Sequence, residues 1–483
     1  MKKIFKNNWQ IIVLETLVLF AFALFNKKFG DIMVDSYREL YIPQQILKGQ
    51  ILYKDILVVY PPLAYWINAL ILLIFKNTFA ICFSGLFSSL GVMYLTYRIA
   101  NVFINKLYSF GICLFVISSL ILSPNVFNLI FPYSYGMTYG LLFVLLSIYF
   151  VLNKKYPLSY LFYTLAILSK YEFVFLLPAL VFYTGKKDWI KNVTYFFTPL
   201  FLVILIFFMQ GISFVDINNT INIIINMAKT KTLHWFYMVS GLFFNIKLIP
   251  LYFINFIKFI FPIYWVKYQE ILLWSLPVIL GGLICKFKIL TKNQKFFIIA
   301  TLLISIKVFF AVAIETYGVY FLPFILISLF ILISDKYKKF LVILLIIWSL
   351  IIGYFNSQKM IYKNNNLDNI INYVNKNTTV DDKVLVLPEC LAINVKSNRD
   401  SDNKLYSLIP LYIETFGENL IIKRLEFIRP DYIILNDYDT SVYYFKKFGD
   451  DYANMIFKWI EKNYSLEASV KDSWEFKIYK KIF

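Results

Sequence analysis

Histidine is all but missing from this chain: His234 is the sole one in 483 residues. Cysteine is nearly as scarce, with Cys82, Cys113 and Cys285 inside apolar runs and Cys390 by itself in a polar region. That pattern supplies no His/Cys cluster for zinc and implies no disulfide framework. His234 reads as an interfacial residue rather than a catalyst. No glycine-rich phosphate loop, no G-x-S-x-G turn and no H-E-x-x-H occurs, so the signatures of P-loop, serine-hydrolase and zinc-protease chemistry are absent. Acid is short as well, 29 Asp and Glu against 48 Lys and Arg, for a net charge of +19. The basic residues form no compact stripe with base-stacking periodicity, which argues against nucleic acid as a partner.

What the chain has in abundance is apolar and aromatic side chains. It is 60% hydrophobic and 20% aromatic, with 50 Phe and 37 Tyr, and a mean hydropathy of +0.66. That is far outside the range of soluble globular chains and implies a polytopic membrane protein. Apolar runs lie near 9–25, 79–97, 108–124, 135–152, 157–169, 171–184, 192–210, 268–285, 296–312, 317–334 and 340–355. They predict about eleven transmembrane helices. The first run follows a basic start but has no small-residue cleavage site, so it reads as a retained span. Two further stretches, 61–75 and 236–265, fit interfacial or re-entrant helices, the second because Lys247 and Lys258 interrupt it.

Charge supports that assignment. The clusters Lys2/Lys3/Lys6, Arg98/Lys106, Lys154/Lys155, Lys186/Lys187/Lys191, Lys286/Lys288/Lys292 and Lys336/Lys338/Lys339 fall on one side only if 61–75 does not cross. The positive-inside rule makes that side cytoplasmic, where the basic excess also meets anionic lipid. The N-terminus is then cytoplasmic, and the first loop, 211–266 and the C-terminal region lie outside. Segment 211–235, with Asp216 and Asn218 opening INIIINMA, reads as an amphipathic surface helix.

From about Asn356 the composition becomes that of an ordinary soluble protein. The expected organisation is a membrane domain over 1–355, with its first exterior loop at 26–78, and a small exterior α/β domain over 356–483. Lys383-Val-Leu-Val-Leu, Asp431-Tyr-Ile-Ile-Leu and Glu475-Phe-Lys-Ile-Tyr read as strands; NLDNIINYVNKN, ENLIIKRLEFIR and DDYANMIFKWIEKNY read as helices. The first loop carries Asp31, Asp35, Glu39 and Asp55 beside Arg38, Lys48 and Lys54. Charges crowded against a bilayer mark a candidate functional site.

Several short motifs, in order along nearly the whole chain, carry a family likeness. Asp35 and Arg38 stand three positions apart; Pro43, Ile46, Leu47 and Gly49 follow, then Pro61, Pro62, Leu63, Tyr65 and Trp66. LFYTLAILSKYEF ends on Leu168, Ser169 and Lys170 before Tyr171 and Glu172, and ETYGVYFLPFIL holds Glu315, Tyr317, Tyr320 and Pro323. With LVLPECLAIN and RPDYIILND, the set resembles the GT-C superfamily of membrane glycosyltransferases. That group acts on polyprenyl-phosphate sugars and includes protein O-mannosyltransferases and aminoarabinose transferases. Two departures stand out: Tyr60 occupies a place before the two prolines that is often basic, leaving Lys54 as a substitute, and NVFNLIFPYSY lacks a frequent second acid.

The resemblance implies an inverting transferase that moves a sugar from a polyprenyl-phosphate donor to a hydroxyl of a glycan, lipid or protein at the outer face. Asp35 would be the base and Arg38 and Lys170 the phosphate ligands, with Glu39, Lys54, Asp55, Tyr60, Glu315, Tyr317 and Tyr320 in support. No metal is required by that chemistry, although relatives with pyrophosphate carriers tend to need a divalent cation.

On spacing alone other readings stay open. Asp35 and Arg38 fit a surface helix pair, Lys170 fits a snorkelling helix end, and Tyr60, Tyr65 and Trp66 fit an interfacial belt better than a sugar platform. A transporter or flippase of lipid-linked sugars, or a non-catalytic membrane scaffold, are the alternatives from other classes.

Overall fold

The computed structural model describes residues 2–25, 28, 35–124, 128–185, 188–227, 229–232, 268–310, 318–363, 366–401 and 404–482. Asp31, Lys186, Lys187, His234, the stretch 236–265, Glu315 and Tyr317 lie outside them, as does the side chain of Asp35.

The chain is mostly helical. Its elements run α1 (Lys2–Phe25), α2 (Asp35–Leu47), α3 (Leu63–Phe75), α4 (Phe79–Phe103), α5 (Lys106–Val116), α6 (Tyr135–Leu152), α7 (Tyr156–Ser169), α8 (Leu177–Thr184), α9 (Trp189–Met209) and α10 (Phe214–Met227). They continue with α11 (Tyr268–Lys286), α12 (Lys292–Phe310), α13 (Leu322–Leu332), α14 (Asp335–Tyr362) and α15 (Asp368–Asn377). Each expected apolar run carries helix. By length and composition, four of the described helices, α4, α6, α9 and α14, suffice to cross a membrane; the others are shorter. The coarse expectation of an integral membrane protein holds, whereas the count of about eleven spans is not established.

Small residues set the tightest helix contact. Gly136 and Gly140, one turn apart on α6, face the end of α7, so that a Cβ at Gly136 would meet the Ser169 carbonyl and one at Gly140 would stand 2.5 Å from Phe173 Cε2. Glycine at that spacing lets two backbones approach closely. At one end of the bundle Lys286 donates to the Leu332 carbonyl at 2.5 Å, and Lys292 lies 4.6 Å from the Tyr183 ring centre. Lys338 and Asp335 line a cavity there with Asn101, Asn105 and Tyr108.

The C-terminal part is a four-stranded sheet of order β1-β2-β4-β3, built from β1 (Val384–Leu387), β2 (Tyr432–Asn436), β3 (Tyr464–Lys471) and β4 (Glu475–Lys481). β1 and β2 are parallel, with Val384 opposite Tyr432; the other pairs are antiparallel. β1 and β2 are buried along their length on both faces, which explains their unbroken apolar text. Leu385, Leu387, Ile433 and Leu435 pack under helices Glu418–Ile428 and Asn454–Asn463. Val384, Val386 and Ile434 pack with Ile370 and Val374 of α15. β3 escaped the sequence reading because its alternation is mostly solvent-exposed and its start, Tyr464, directly follows a helix.

Candidate active site

The first loop is held by its own turn chemistry. α2 contains Pro43 and ends at Leu47; two residues on, Gly49 has a left-handed φ of +91°, which suits glycine. The chain then turns through 51–57, where Asp55 accepts the Ile51 N–H at 2.9 Å. Pro62 caps α3 without needing an N–H. α3 buries Ala64, Tyr65, Asn68, Ala69 and Leu72, while Leu70, Leu73, Ile74 and Phe75 are exposed on its other side. An apolar outer face of that kind suits contact with lipid.

The loop before α6 is stitched to α2. Asn128 accepts the N–H groups of Ile130 and Phe131 at 2.9 and 2.6 Å. The Phe131 carbonyl accepts from Ser36 Oγ at 3.3 Å, and the Tyr133 carbonyl accepts from Arg38 Nη2 at 2.7 Å. Glu39 Oε2 accepts the Tyr135 N–H at 3.0 Å, and its Oε1 lies 3.4 Å from Arg38 Nε. Glu39 is therefore the carboxylate that orients Arg38. Burial pushes its carboxyl above the ordinary value, with Arg38 pulling the other way.

A second cation arrives from a remote part of the chain. Lys170 is the residue that ends α7, immediately beside the Gly136 contact. It is fully buried, and its Nζ stands 3.6 Å from Glu172 Oε1. The two cations share one ring: Lys170 Nζ lies 3.9 Å and Arg38 Cζ 5.1 Å from the Tyr60 centroid. Lys170 also lies 5.3 Å from the Tyr133 ring, which in turn packs 6.3 Å from that of Tyr320.

Asp400, Ser401 and the stretch 404–412 of the C-terminal part lie against the first loop and this cluster. Asp400 pairs with Lys48 at 2.6 Å and accepts from Gln45 at 2.7 Å; Tyr41 Oη lies 3.1 Å from Ser401 Oγ. The Lys404 carbonyl accepts the Leu57 N–H at 3.2 Å, and Lys404 Nζ donates to the carbonyls of Tyr53 and Lys54. Burial lowers the pKa of Lys404. Tyr406 and Tyr412 sit within electrostatic reach of Arg38 and Tyr60, and burial pushes Tyr412 up to about 12.

Of the residues singled out in the sequence, Arg38, Glu39, Tyr60, Lys170 and Tyr320 come together. Lys54 and Asp55 do not: both are exposed on the 51–57 turn, where Asp55 serves the turn and Lys54 offers its carbonyl. Asp35 opens α2 on the turn before Arg38. Glu172, Tyr133, Tyr406 and Tyr412 are additions to the sequence reading, whereas Tyr65, expected in an interfacial belt, is buried. Only Glu172, an acid in an apolar stretch two residues after Lys170, carried a signal. Among the described residues no group of three His, Cys, Asp or Glu could hold a metal ion.

No family model matches the sequence, and no curated protein does. Solved structures are similar. The oligosaccharyltransferase of Archaeoglobus fulgidus, in complex with zinc and sulfate, shares 12% identity over 98% of this chain and 73% of that one, with a TM-score of 0.54. The same enzyme tethered to an acceptor peptide containing the NVT sequon gives 11%, 99%, 74% and 0.51. ArnT from Cupriavidus metallidurans bound to undecaprenyl phosphate gives 10%, 98%, 98% and 0.45. At such identities the oligosaccharyltransferase likeness is one of fold alone.

Proposed function

We propose that this chain is an inverting membrane glycosyltransferase that moves a sugar from a polyprenyl phosphate, such as undecaprenyl or dolichyl phosphate, to an acceptor hydroxyl at the outer face. The observation that carries the reading is the convergence of Arg38 and Lys170, remote in sequence, on the Tyr60 ring within one buried cluster. Enclosed cations need anions beside them; Glu39 and Glu172 serve in the unliganded chain, and a donor phosphate would share the two cations with them. The fold shared with an oligosaccharyltransferase supports glycosyl transfer as the chemistry.

In this reading residues 1–355 form the transmembrane catalytic domain, and 356–483 a soluble exterior one. The N-terminus is cytoplasmic; Lys286, Lys292 and Lys338 at one end of the bundle support that orientation. Arg38 binds donor phosphate oxygens with its planar fork, and Lys170 adds a point charge. The acceptor hydroxyl attacks the anomeric carbon opposite the phosphate. Asp35 takes the hydroxyl proton, the carbon–oxygen bond to phosphate breaks, and the electron pair leaves with polyprenyl phosphate. The leaving phosphate needs no general acid of the kind a glycoside hydrolase uses.

The test is transfer from radiolabelled polyprenyl-phosphate sugars in proteoliposomes. Asp35→Asn is expected to abolish transfer while leaving expression and thermal unfolding unchanged. Undiminished transfer by that variant would remove the mechanism.

A further inference from the structure

Tyr65 is the second residue after the Pro-Pro-Leu motif, and its place differs from that of its neighbour Trp66. The Tyr65 side chain is turned into the protein and 2% exposed. Its ring belongs to the main core, yet among the described residues its Oη has no hydrogen-bond partner. The groups within electrostatic reach of that hydroxyl are Glu39, Arg38, Tyr406 and Tyr60. A buried hydroxyl without a partner is costly, and its retention beside four polar side chains calls for a ligand that completes it.

We propose that Tyr65 is a donor-sugar ligand, its hydroxyl hydrogen-bonding a hydroxyl of the sugar carried on the polyprenyl phosphate. This inference rests on the reading of Arg38 and Lys170 as phosphate ligands. Two observations favour the sugar over the phosphate or the lipid. Lys170 reaches the cluster across Tyr60 and Tyr133, from the end of a helix of the membrane bundle. Tyr65 instead shares its core cluster with Tyr406 and has it within electrostatic reach, and Tyr406 belongs to the C-terminal part, where the head of the donor rather than its tail is expected. Tyr406 is carried on Leu405–Ile409, a stretch without regular secondary structure. A sugar reaches Tyr65 by displacing that side chain. Tyrosine suits the task, since its ring packs against a sugar face while its hydroxyl both donates and accepts.

Tyr65→Phe in the full chain separates this from a merely structural role, because it removes the hydroxyl and leaves the ring. Without ligand the variant is expected to unfold at the same temperature as the parent chain or above it. Thermal shifts are then read with undecaprenyl phosphate and with a panel of undecaprenyl-phosphate hexoses and pentoses. The sugar-free carrier should stabilise both proteins equally. The preferred sugar-bearing carrier should stabilise the parent chain further and Tyr65→Phe not at all, and kcat/KM for transfer should fall about ten- to hundredfold. Equal stabilisation of both proteins by the sugar-bearing carrier, with unchanged transfer, would overturn the Tyr65 role and leave the phosphate reading standing. Loss of stability in ligand-free Tyr65→Phe would also overturn it, since the hydroxyl would then have a partner within the fold. A parent chain stabilised by none of the carriers would remove the phosphate reading itself, and the sugar role with it.

Discussion

Gly140→Ala tests whether the packing of α6 on α7 sets the position of Lys170. The added methyl would stand 2.5 Å from Cε2 and 3.1 Å from Cδ2 of Phe173. Ordinary van der Waals contact begins near 3.4 Å, so the ring must retreat by about 0.9 Å. Phe173 cannot do so cheaply. It is fully buried, stands edge-on to Phe321 at 6.3 Å, and its N–H donates to the Lys170 carbonyl at 3.3 Å. It also follows Glu172 directly, so the turn that holds Lys170 and its carboxylate moves with it. Overpacking of this kind costs about 1–3 kcal/mol, and a misplacement near 1 Å at a reacting group lowers rate by roughly a hundredfold. The expected outcome is a lower unfolding temperature and a kcat reduced by about two orders of magnitude. Two controls fix the interpretation. Gly281→Ala meets nothing within 4 Å and Gly91→Ala meets only the flexible tip of Leu142; both should keep their transfer rates, and Gly281→Ala should gain up to about 1 kcal/mol in helix propensity. Transfer by Gly140→Ala within twofold of the parent rate, despite lost stability, would refute the coupling between this contact and the site.

Glu172→Gln removes the carboxylate nearest to a buried lysine and should cost about 3–5 kcal/mol, read as lowered thermal stability; Lys170→Met/Glu172→Gln should recover much of the stability and none of the transfer. The Lys48–Asp400 pair is more than a third exposed on both sides, so Lys48→Ala should cost about 1 kcal/mol or less, and less still at high salt.

The helices were legible in the sequence because lipid-facing and core-facing positions are both apolar, which leaves long runs. The same redundancy hid how the helices turn: the G-x-x-x-G spacing of Gly136 and Gly140 in YGMTYGLL signals a close approach but does not say that α7 makes it. β1 and β2 were legible as apolar runs buried on two faces, while β3, an exposed edge, was not. At the site, residues with charge stood out and residues with only a ring or a hydroxyl did not. Arg38 and Lys170 were visible because each stands in a short motif that resembles the GT-C superfamily. Tyr133, Tyr406 and Tyr412 were lost among 37 tyrosines, and Tyr65 stood out only as part of a motif, since only the folded chain distinguishes a ring facing lipid from one turned into the core. In the folded loop its lesser charges have partners: Glu39 lies against Arg38, and Asp55 accepts the Ile51 N–H.

The pairing of each cation with its own carboxylate has a consequence for the proposed chemistry. Arg38 and Glu39, and Lys170 and Glu172, make two buried pairs, so the described cluster is close to neutral before a donor binds. The carboxylates offset much of the desolvation cost of the cations, and a donor phosphate must share those cations with them. Ground-state binding of a phosphate bearing one charge is weakened accordingly. As the bond to the sugar breaks, a second charge develops on the phosphate, and the same cations, already oriented, interact with it more strongly than with the substrate. Stabilisation that grows along the reaction is what lowers a barrier, whereas uniform binding does not. Glu39→Gln and Glu172→Gln should therefore bind undecaprenyl phosphate more tightly than the parent chain while transferring sugar more slowly. Weaker carrier binding by both variants, measured by thermal shift in detergent, would mean that the carboxylates build the phosphate site rather than compete for it.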